Sequence, residues 1–296
     1  MTRRGGPKLF CFGIGFSAKA LIDHLPVADW STGGTVRDLE NAQQLVTKGI
    51  DATLWDGGDL NDEAKHKLLA ATHVLVSVPP GEAGDPVINA ASEILKSSTN
   101  LNWLGYLSTT GVYGNTNGAF VDEKAPLNPS SARSERRVAA EAGWLDLYKN
   151  YKIPIHIFRL AGIYGPGRSV FNQIRKGAAK RINKLGHAFS RIHVDDIASI
   201  LAASISRPNP GAIYNVCDNE PAAPSEITEY ACHLLEKDPP PIEDFEVAKE
   251  RMTPMGLSFW TDNRRVKNTR IRKELGVKLK YPDYRSGLQA IFAAED

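Results

Sequence analysis

Lys8-Leu9-Phe10-Cys11-Phe12-Gly13-Ile14-Gly15-Phe16-Ser17-Ala18 sets a short apolar run against two glycines and a small residue. The run reads as a strand and Ala18 to Leu25 as the helix after it, so the glycines fall at a strand-to-helix turn. There Gly13 permits the tight bend, Gly15 lets the backbone approach a pyrophosphate, and Ala18 keeps the helix close to the sheet. The free N–H groups at the helix start favour phosphate oxygens. Gly13, Gly15, Ser17 and Ala18 are therefore candidate dinucleotide contacts.

Outward from this turn the same rhythm repeats. Strands are predicted at Gly34 to Val36 and Ala52 to Trp55, with helices at Leu39 to Lys48 and Asp62 to Ala71. His73-Val74-Leu75-Val76-Ser77-Val78 is unbroken in apolar character, as a strand covered on both faces requires. Pro86 to Lys96 reads as helix, Asn102 to Ser108 as strand, Ser131 to Lys149 as a long helix and Ile155 to Leu160 as a further strand. The fold expected is α/β, a Rossmann-type doubly wound parallel sheet.

Beyond it, Gly165-Pro166-Gly167, Pro208, Pro210, Pro221, Pro224 and Pro239-Pro240-Pro241 mark irregular connections. Asp195 to Ser206 as helix and Gly211 to Val216 as strand return to the sheet between two visits to a smaller lobe. The expected organisation is a dinucleotide-binding domain over 1–165, with 195–217 returning to it, and a small discontinuous C-terminal substrate lobe over 166–194 and 218–296.

The 296 residues suffice for one large core or two smaller ones, and 42% hydrophobic with 24% charged residues is ordinary for a globular chain. A formal net charge of +2 demands no polyanionic partner, so nucleic acid is not expected. Cys11, Cys217 and Cys232 are few and far apart, which speaks against a disulfide framework and for a reducing, cytoplasmic setting. Met1-Thr2-Arg3-Arg4 before an apolar run resembles a leader, but Gly13 and Gly15 interrupt that run, so it reads as a strand. No apolar run approaches the roughly 18 residues of a membrane span. His193 and Asp195 lack a third ligand at useful spacing, so no metal is expected.

At the end of the second strand stands Arg37-Asp38, where an acidic residue would hold the ribose 2′-hydroxyl of NAD. A guanidinium offers paired donors to a 2′-phosphate, which favours NADP; the alternative is NAD held by Asp38 with Arg37 solvated.

Leu107-Ser108-Thr109-Thr110-Gly111-Val112-Tyr113-Gly114, followed by Val121-Asp122-Glu123 and Pro126, resembles the active-site strand of the extended short-chain dehydrogenase/reductase family. That family includes nucleotide-sugar epimerases and dehydratases. Arg159 to Arg168, Ser190 to Ala198 and Glu274-Leu275-Gly276 resemble further marks of it. The resemblance implies that Thr109 hydrogen-bonds the reacting substrate oxygen. It implies cofactor contacts from Asp56 or Asp59 and from Val78-Pro79-Pro80, and by analogy a homodimer.

A Tyr-x-x-x-Lys pair is expected on the next helix. Counting back from Glu141 puts Arg133 and Arg137 in those places. Arginine stays charged and cannot shuttle a proton near neutrality. It can stabilise an oxyanion or anchor ribose and phosphate, the role expected of Arg137. Tyr113 is then the candidate proton carrier, with Tyr164 behind it.

Tyr164, Arg191 and Arg265 are the candidate substrate contacts. Arg265 lies in a run, Asn263 to Lys273, with six Arg or Lys in eleven residues, which suits either an anionic substrate or a solvated helix face. His193 is read as a structural histidine and Asp195 or Asp196 as a helix cap. Two functions remain open at this point. One is an NAD(P)-dependent oxidoreductase or epimerase/dehydratase-like enzyme for a small hydroxyl or carbonyl substrate. The other is an NADP-binding sensor or partner-binding module without chemistry.

Overall fold

The computed structural model describes residues 6–295; Met1 to Arg4, weighed above as a leader, lie outside them. Along the chain the elements are β1 (Lys8–Phe12), α1 (Phe16–His24), β2 (Ser31–Val36), α2 (Leu39–Thr47), β3 (Asp51–Leu54), α3 (Asp62–Ala70), β4 (His73–Val76), α4 (Pro86–Ser97) and β5 (Trp103–Thr109). A 3-10 turn (Thr110–Tyr113) leads to β6 (Phe120–Val121), α5 (Ala132–Tyr151), β7 (Ile155–Leu160), β8 (Gly162–Tyr164), α6 (Val170–Arg175), β9 (Arg181–Asn183), β10 (Arg191–His193), α7 (Val194–Ser206) and β11 (Ile213–Val216). The chain closes with α8 (Pro224–Leu234), β12 (Ile242–Asp244), α9 (Phe245–Ala248), α10 (Pro254–Thr261), β13 (Arg265–Val266), α11 (Thr269–Glu274) and α12 (Tyr284–Glu295).

Among the described residues seven strands form one sheet in the order β11-β7-β5-β4-β1-β2-β3. The pairs from β3 through β2, β1 and β4 to β5 are parallel. Strand order reverses between β1 and β4, and it is outside the carboxyl ends at such a reversal that open α/β sheets bind ligands. The doubly wound sheet predicted from the repeating pattern is thus observed, with β1 and β7 at their expected bounds.

The chain divides into two compact units. Unit 1 holds residues up to Thr109, then 135–159 and 197–214. Its core sets Phe12, Val74, Val76, Leu104, Ile155 and Ile157 of the sheet against Leu68, Val87, Ala91 and Trp144 of the helices. The helices start where the sequence supplies caps: Asp38 for α2, Asn61 for α3, and Asp85 followed by proline for α4.

Unit 2 holds 110–134, 160–196 and 215–296. Its main core joins Tyr164 to Phe171, Ile227, Ala231, Tyr284, Leu288 and Ile291, which come from α6, α8 and α12. Short parallel pairs β8–β10, β9–β12 and β6–β13 tie its segments together.

Residues 110–134, assigned from sequence to the dinucleotide domain, fall in unit 2. Their partners are there: Lys267 N–H donates to Val121 O at 2.9 Å, and Gly118 N–H to Asn263 O at 2.8 Å. The basic run from Asn263 is not one helix face either, because it splits into β13 and α11. No described helix is long and apolar enough to cross a membrane. All three cysteines are free and buried.

Candidate cofactor and active site

The turn after β1 is held from both neighbouring strands. Gly13 N–H donates to Thr35 Oγ1 at 2.9 Å and Ile14 N–H to Thr35 O at 2.8 Å. From the β4 side, Ser77 Oγ donates to Gly13 O at 2.5 Å. Gly13 has φ +84°, and a Cβ there would lie 2.8 Å from Val78 Cγ1, so the position admits little besides glycine. Nothing lies within 4 Å of a Cβ built on Gly15. Gly15 is also the N-cap of α1 and supplies no side-chain cap, which leaves the first-turn amides as donors. Ala18 is fully buried beneath them and Ser17 nearly so. An open, donor-rich cradle at the sheet's reversal fits a pyrophosphate.

Sequence reasoning named the glycines but missed Thr35 and Ser77. No pattern separates a strand hydroxyl that packs from one that fixes a turn.

Arg37 and Asp38 follow β2, both exposed. Asp38 is committed locally, because its Oδ1 accepts Asn41 N–H at 2.8 Å as the N-cap of α2. Asp56, beyond β3, is also exposed and accepts Gly58 N–H at 3.0 Å, shaping its own loop. Val78 is half-buried and Pro79 exposed just past β4.

Thr109 ends β5 and is half-buried. Its neighbour Ser108 donates to Glu141 Oε1 at 2.5 Å, and Arg159 grips the same carboxylate from Nη2 at 2.7 Å and from Nε at 3.1 Å. Both charged side chains are only 3% exposed. This buried ion pair pins α5 and β7 to the end of β5. Arg137, one turn before Glu141, is buried, and its Nη1 is taken up by Leu107 O and by Tyr106 Oη. Burial and nearby carboxylates keep the Tyr106 phenol far above its usual range, with Arg137 opposing them. Arg133 is exposed in the first turn of α5.

Tyr113, the expected proton carrier, is 1% exposed and its phenol donates to Asn215 Oδ1 at 2.7 Å. The same asparagine donates its N–H to Glu123 Oε1 at 2.8 Å. Tyr113 therefore ties the 3-10 turn to β11.

Tyr164 and Arg191 line one cavity of about 200 Å³, together with Tyr284 and apolar residues of α6, α8 and α12. Burial raises the Tyr164 phenol, and Asp218, Asp196 and Asp283 raise it further, so it stays protonated near neutrality. Arg265 does not join this cavity; its guanidinium lies 5.9 Å from the Phe120 ring centre. Arg264 is paired with Asp262 at 2.8 Å and Arg270 with Glu274 at 2.6 Å, so two of the basic run's charges are neutralised internally.

The expected capping role of Asp195 or Asp196 is corrected. His193 precedes α7, and its Nδ1 accepts Asp195 N–H at 3.2 Å as the cap. Asp196 instead accepts Lys280 N–H at 2.7 Å and Tyr281 N–H at 3.0 Å. Burial lowers the His193 pKa to about 4, which keeps the ring neutral for that role.

The sheet order and the turn after β1 define a doubly wound α/β protein of Rossmann type. Residues 80–217 match the model of the NAD dependent epimerase/dehydratase family. It is 25% identical to protein YeeZ of Escherichia coli strain K12 over 295 residues, covering 93% of this chain and 97% of that one. A solved structure of a conserved protein of unknown function from Silicibacter pomeroyi is 44% identical, covers 98% of this chain and 99% of its own, and superposes with a TM-score of 0.88. The dTDP-glucose 4,6-dehydratase of Bacillus anthracis, solved in complex with NAD, has a TM-score of 0.79 at 19% identity, covering 97% and 96% of the two chains. At that identity the likeness is one of fold.

Proposed function

We propose that the chain is an NADP-dependent oxidoreductase or epimerase/dehydratase-like enzyme acting on a small hydroxyl- or carbonyl-bearing substrate of nucleotide-sugar type. The observation that carries this reading is the pre-formed turn at Gly13 and Gly15, open over Gly15 and lined by uncapped amides of α1. Gly13, Gly15, Ser17 and Ala18 hold the pyrophosphate, and Asp56, Val78 and Pro79 border the rest of the dinucleotide. Arg37 takes the 2′-phosphate, a preference supported by Asp38 being occupied as a cap. When bound, the cofactor supplies a hydride-accepting and hydride-donating ring.

Thr109 donates to or accepts from the reacting substrate oxygen, on a strand end that Glu141 and Arg159 hold fixed. Tyr113 is turned inward, so the hydroxyl proton is exchanged with water as the carbon gives up or receives hydride. The enzyme works in a reducing cytoplasm and, by family analogy, as a homodimer.

The test is a fluorescence titration of NADP and NAD, followed by turnover of a nucleotide-sugar panel by wild type and Thr109→Val. NADP is expected to bind about tenfold tighter than NAD, and Arg37→Gln to erase the difference. Turnover that survives Thr109→Val with every substrate defeats the catalytic assignment.

A second reading is favoured by one observation: Arg137 spends its Nη1 on Leu107 O and Tyr106 Oη. In that reading the chain binds NADP as a sensor or partner-binding module. NADP binding without reduction or oxidation of the nicotinamide by any panel member supports it, and ordinary turnover rejects it.

A further inference from the structure

Arg191 is the single charged side chain among the residues lining the unit 2 cavity. Its Nη1 donates to Phe189 O at 2.9 Å and to Ala222 O at 3.0 Å. Among the described residues Nε and Nη2 have no hydrogen-bond partner. Burial lowers its pKa only to about 10, so the guanidinium is charged at neutrality.

Asp218, the carboxylate that acts on it most strongly, makes no ion pair with it. Asp218 is 2% exposed and accepts Glu220 N–H at 3.2 Å through Oδ1, while its Oδ2 has no partner among the described residues. Burial raises the Asp218 carboxyl to about 8, which holds it largely protonated at neutral pH. Arg191 is half-buried, and its two unused nitrogens form a fork that an anion entering the mostly apolar cavity can accept from.

The rest of the wall says what kind of anion. Val170, Ile227 and Leu288 are aliphatic, and Tyr164 and Tyr284 present rings. Pro224, Ile227 and Thr228 also line it, and they belong to the first turns of α8, whose N-cap Ala223 gives no side-chain cap. The two Thr228 Oγ1 bonds go to Lys180 O and Pro224 O, so its methyl-bearing side chain is already tied back. The Tyr164 wall is fixed by α12, because a Cβ on Gly287 would lie 2.1 Å from Tyr164 Oη. Its volume of about 200 Å³ leaves room for a six-membered ring bearing a carboxylate.

We infer that this cavity is a binding site for a small monocarboxylate with an apolar, ring-sized body. Its carboxylate pairs with Arg191 Nε and Nη2, and its body lies among Val170, Ile227, Tyr284 and Leu288. The charge-assisted fork supplies orientation and the apolar wall excludes inorganic anions. Glu226, exposed in the first turn of α8, opposes doubly charged ligands. The site stands on unit 2 alone and does not rest on the dinucleotide reading.

Calorimetric titration of the full chain without dinucleotide tests it, with benzoate, its neutral isostere benzamide, and inorganic phosphate as probes. Benzoate is expected to bind at millimolar concentration or tighter, with benzamide and phosphate at least about tenfold weaker. Arg191→Met is expected to cost benzoate at least about tenfold. Leu288→Phe, which fills the cavity and keeps the cation, is expected to abolish binding even if Arg191→Met fails to fold. No benzoate binding, phosphate binding as tight as benzoate, or benzoate affinity unchanged in Leu288→Phe each overturns the inference.

Discussion

Glu141 in unit 1 and Asp218 in unit 2 are equally buried, at 2% exposure each, and each has an arginine as neighbour. They are treated oppositely. Glu141 receives two nitrogens of Arg159 and the Ser108 hydroxyl, so both carboxylate oxygens are satisfied. Asp218 receives one backbone amide, and Arg191 turns its Nη1 to two carbonyls instead. A buried ion pair with good geometry rigidifies what it joins, whereas an unmatched pair leaves donors for something else. Unit 1 uses its buried charge to fix the end of the strand that carries Thr109. Unit 2 keeps a guanidinium in reserve beside a cavity.

The largest effect is expected at Glu141. Glu141→Ala strands Arg159 in the core and is expected to cost about 3–5 kcal/mol in denaturant unfolding. A loss below about 1 kcal/mol, the range of surface pairs, would show that the pair is not the clamp described.

A smaller, pH-dependent effect is expected at Asp218. The folded carboxyl holds its proton up to about pH 8, while the unfolded one releases it near the ordinary carboxylate value of 3.8. Stability from this group is full below the lower value and declines as pH rises towards the upper one. Buried His73, His156, His187 and His193, lowered to about 4, slope the opposite way up to the usual histidine range. The wild-type minus Asp218→Asn difference cancels the histidines. It is expected to fall steadily between about pH 4 and 8, and a flat difference would remove Asp218 from the contrast.

The smallest effect is at Tyr113. Tyr113→Phe deletes one buried bond to Asn215 and is expected to cost about 1 kcal/mol of stability while NADP affinity stays unchanged. Turnover lost with stability intact would instead return Tyr113 to the role of proton carrier.

Much of this was legible in the chain. Alternating apolar runs and helical stretches gave the sheet, and Gly13 and Gly15 marked the turn after its first strand, because strand burial and tight turns leave local marks. Tyr113 was not legible, since a phenol near a strand end reads the same whether it faces a pocket or Asn215. Nor was His193 as a cap in place of the aspartates beside it, because a ring nitrogen can accept as well as a carboxylate.

The sequence by itself determined the doubly wound architecture, the position of the glycine turn after the first strand, and the arginines at 133 and 137. Those follow from residue type and from spacing within a few residues. Only the tertiary structure decided that Thr35 and Ser77 lock the turn, that Arg159 is matched to Glu141, and that Arg191 is left facing a cavity. Each depends on which groups meet across gaps of 18 to 64 residues, and the choice among buried polar partners is made by packing.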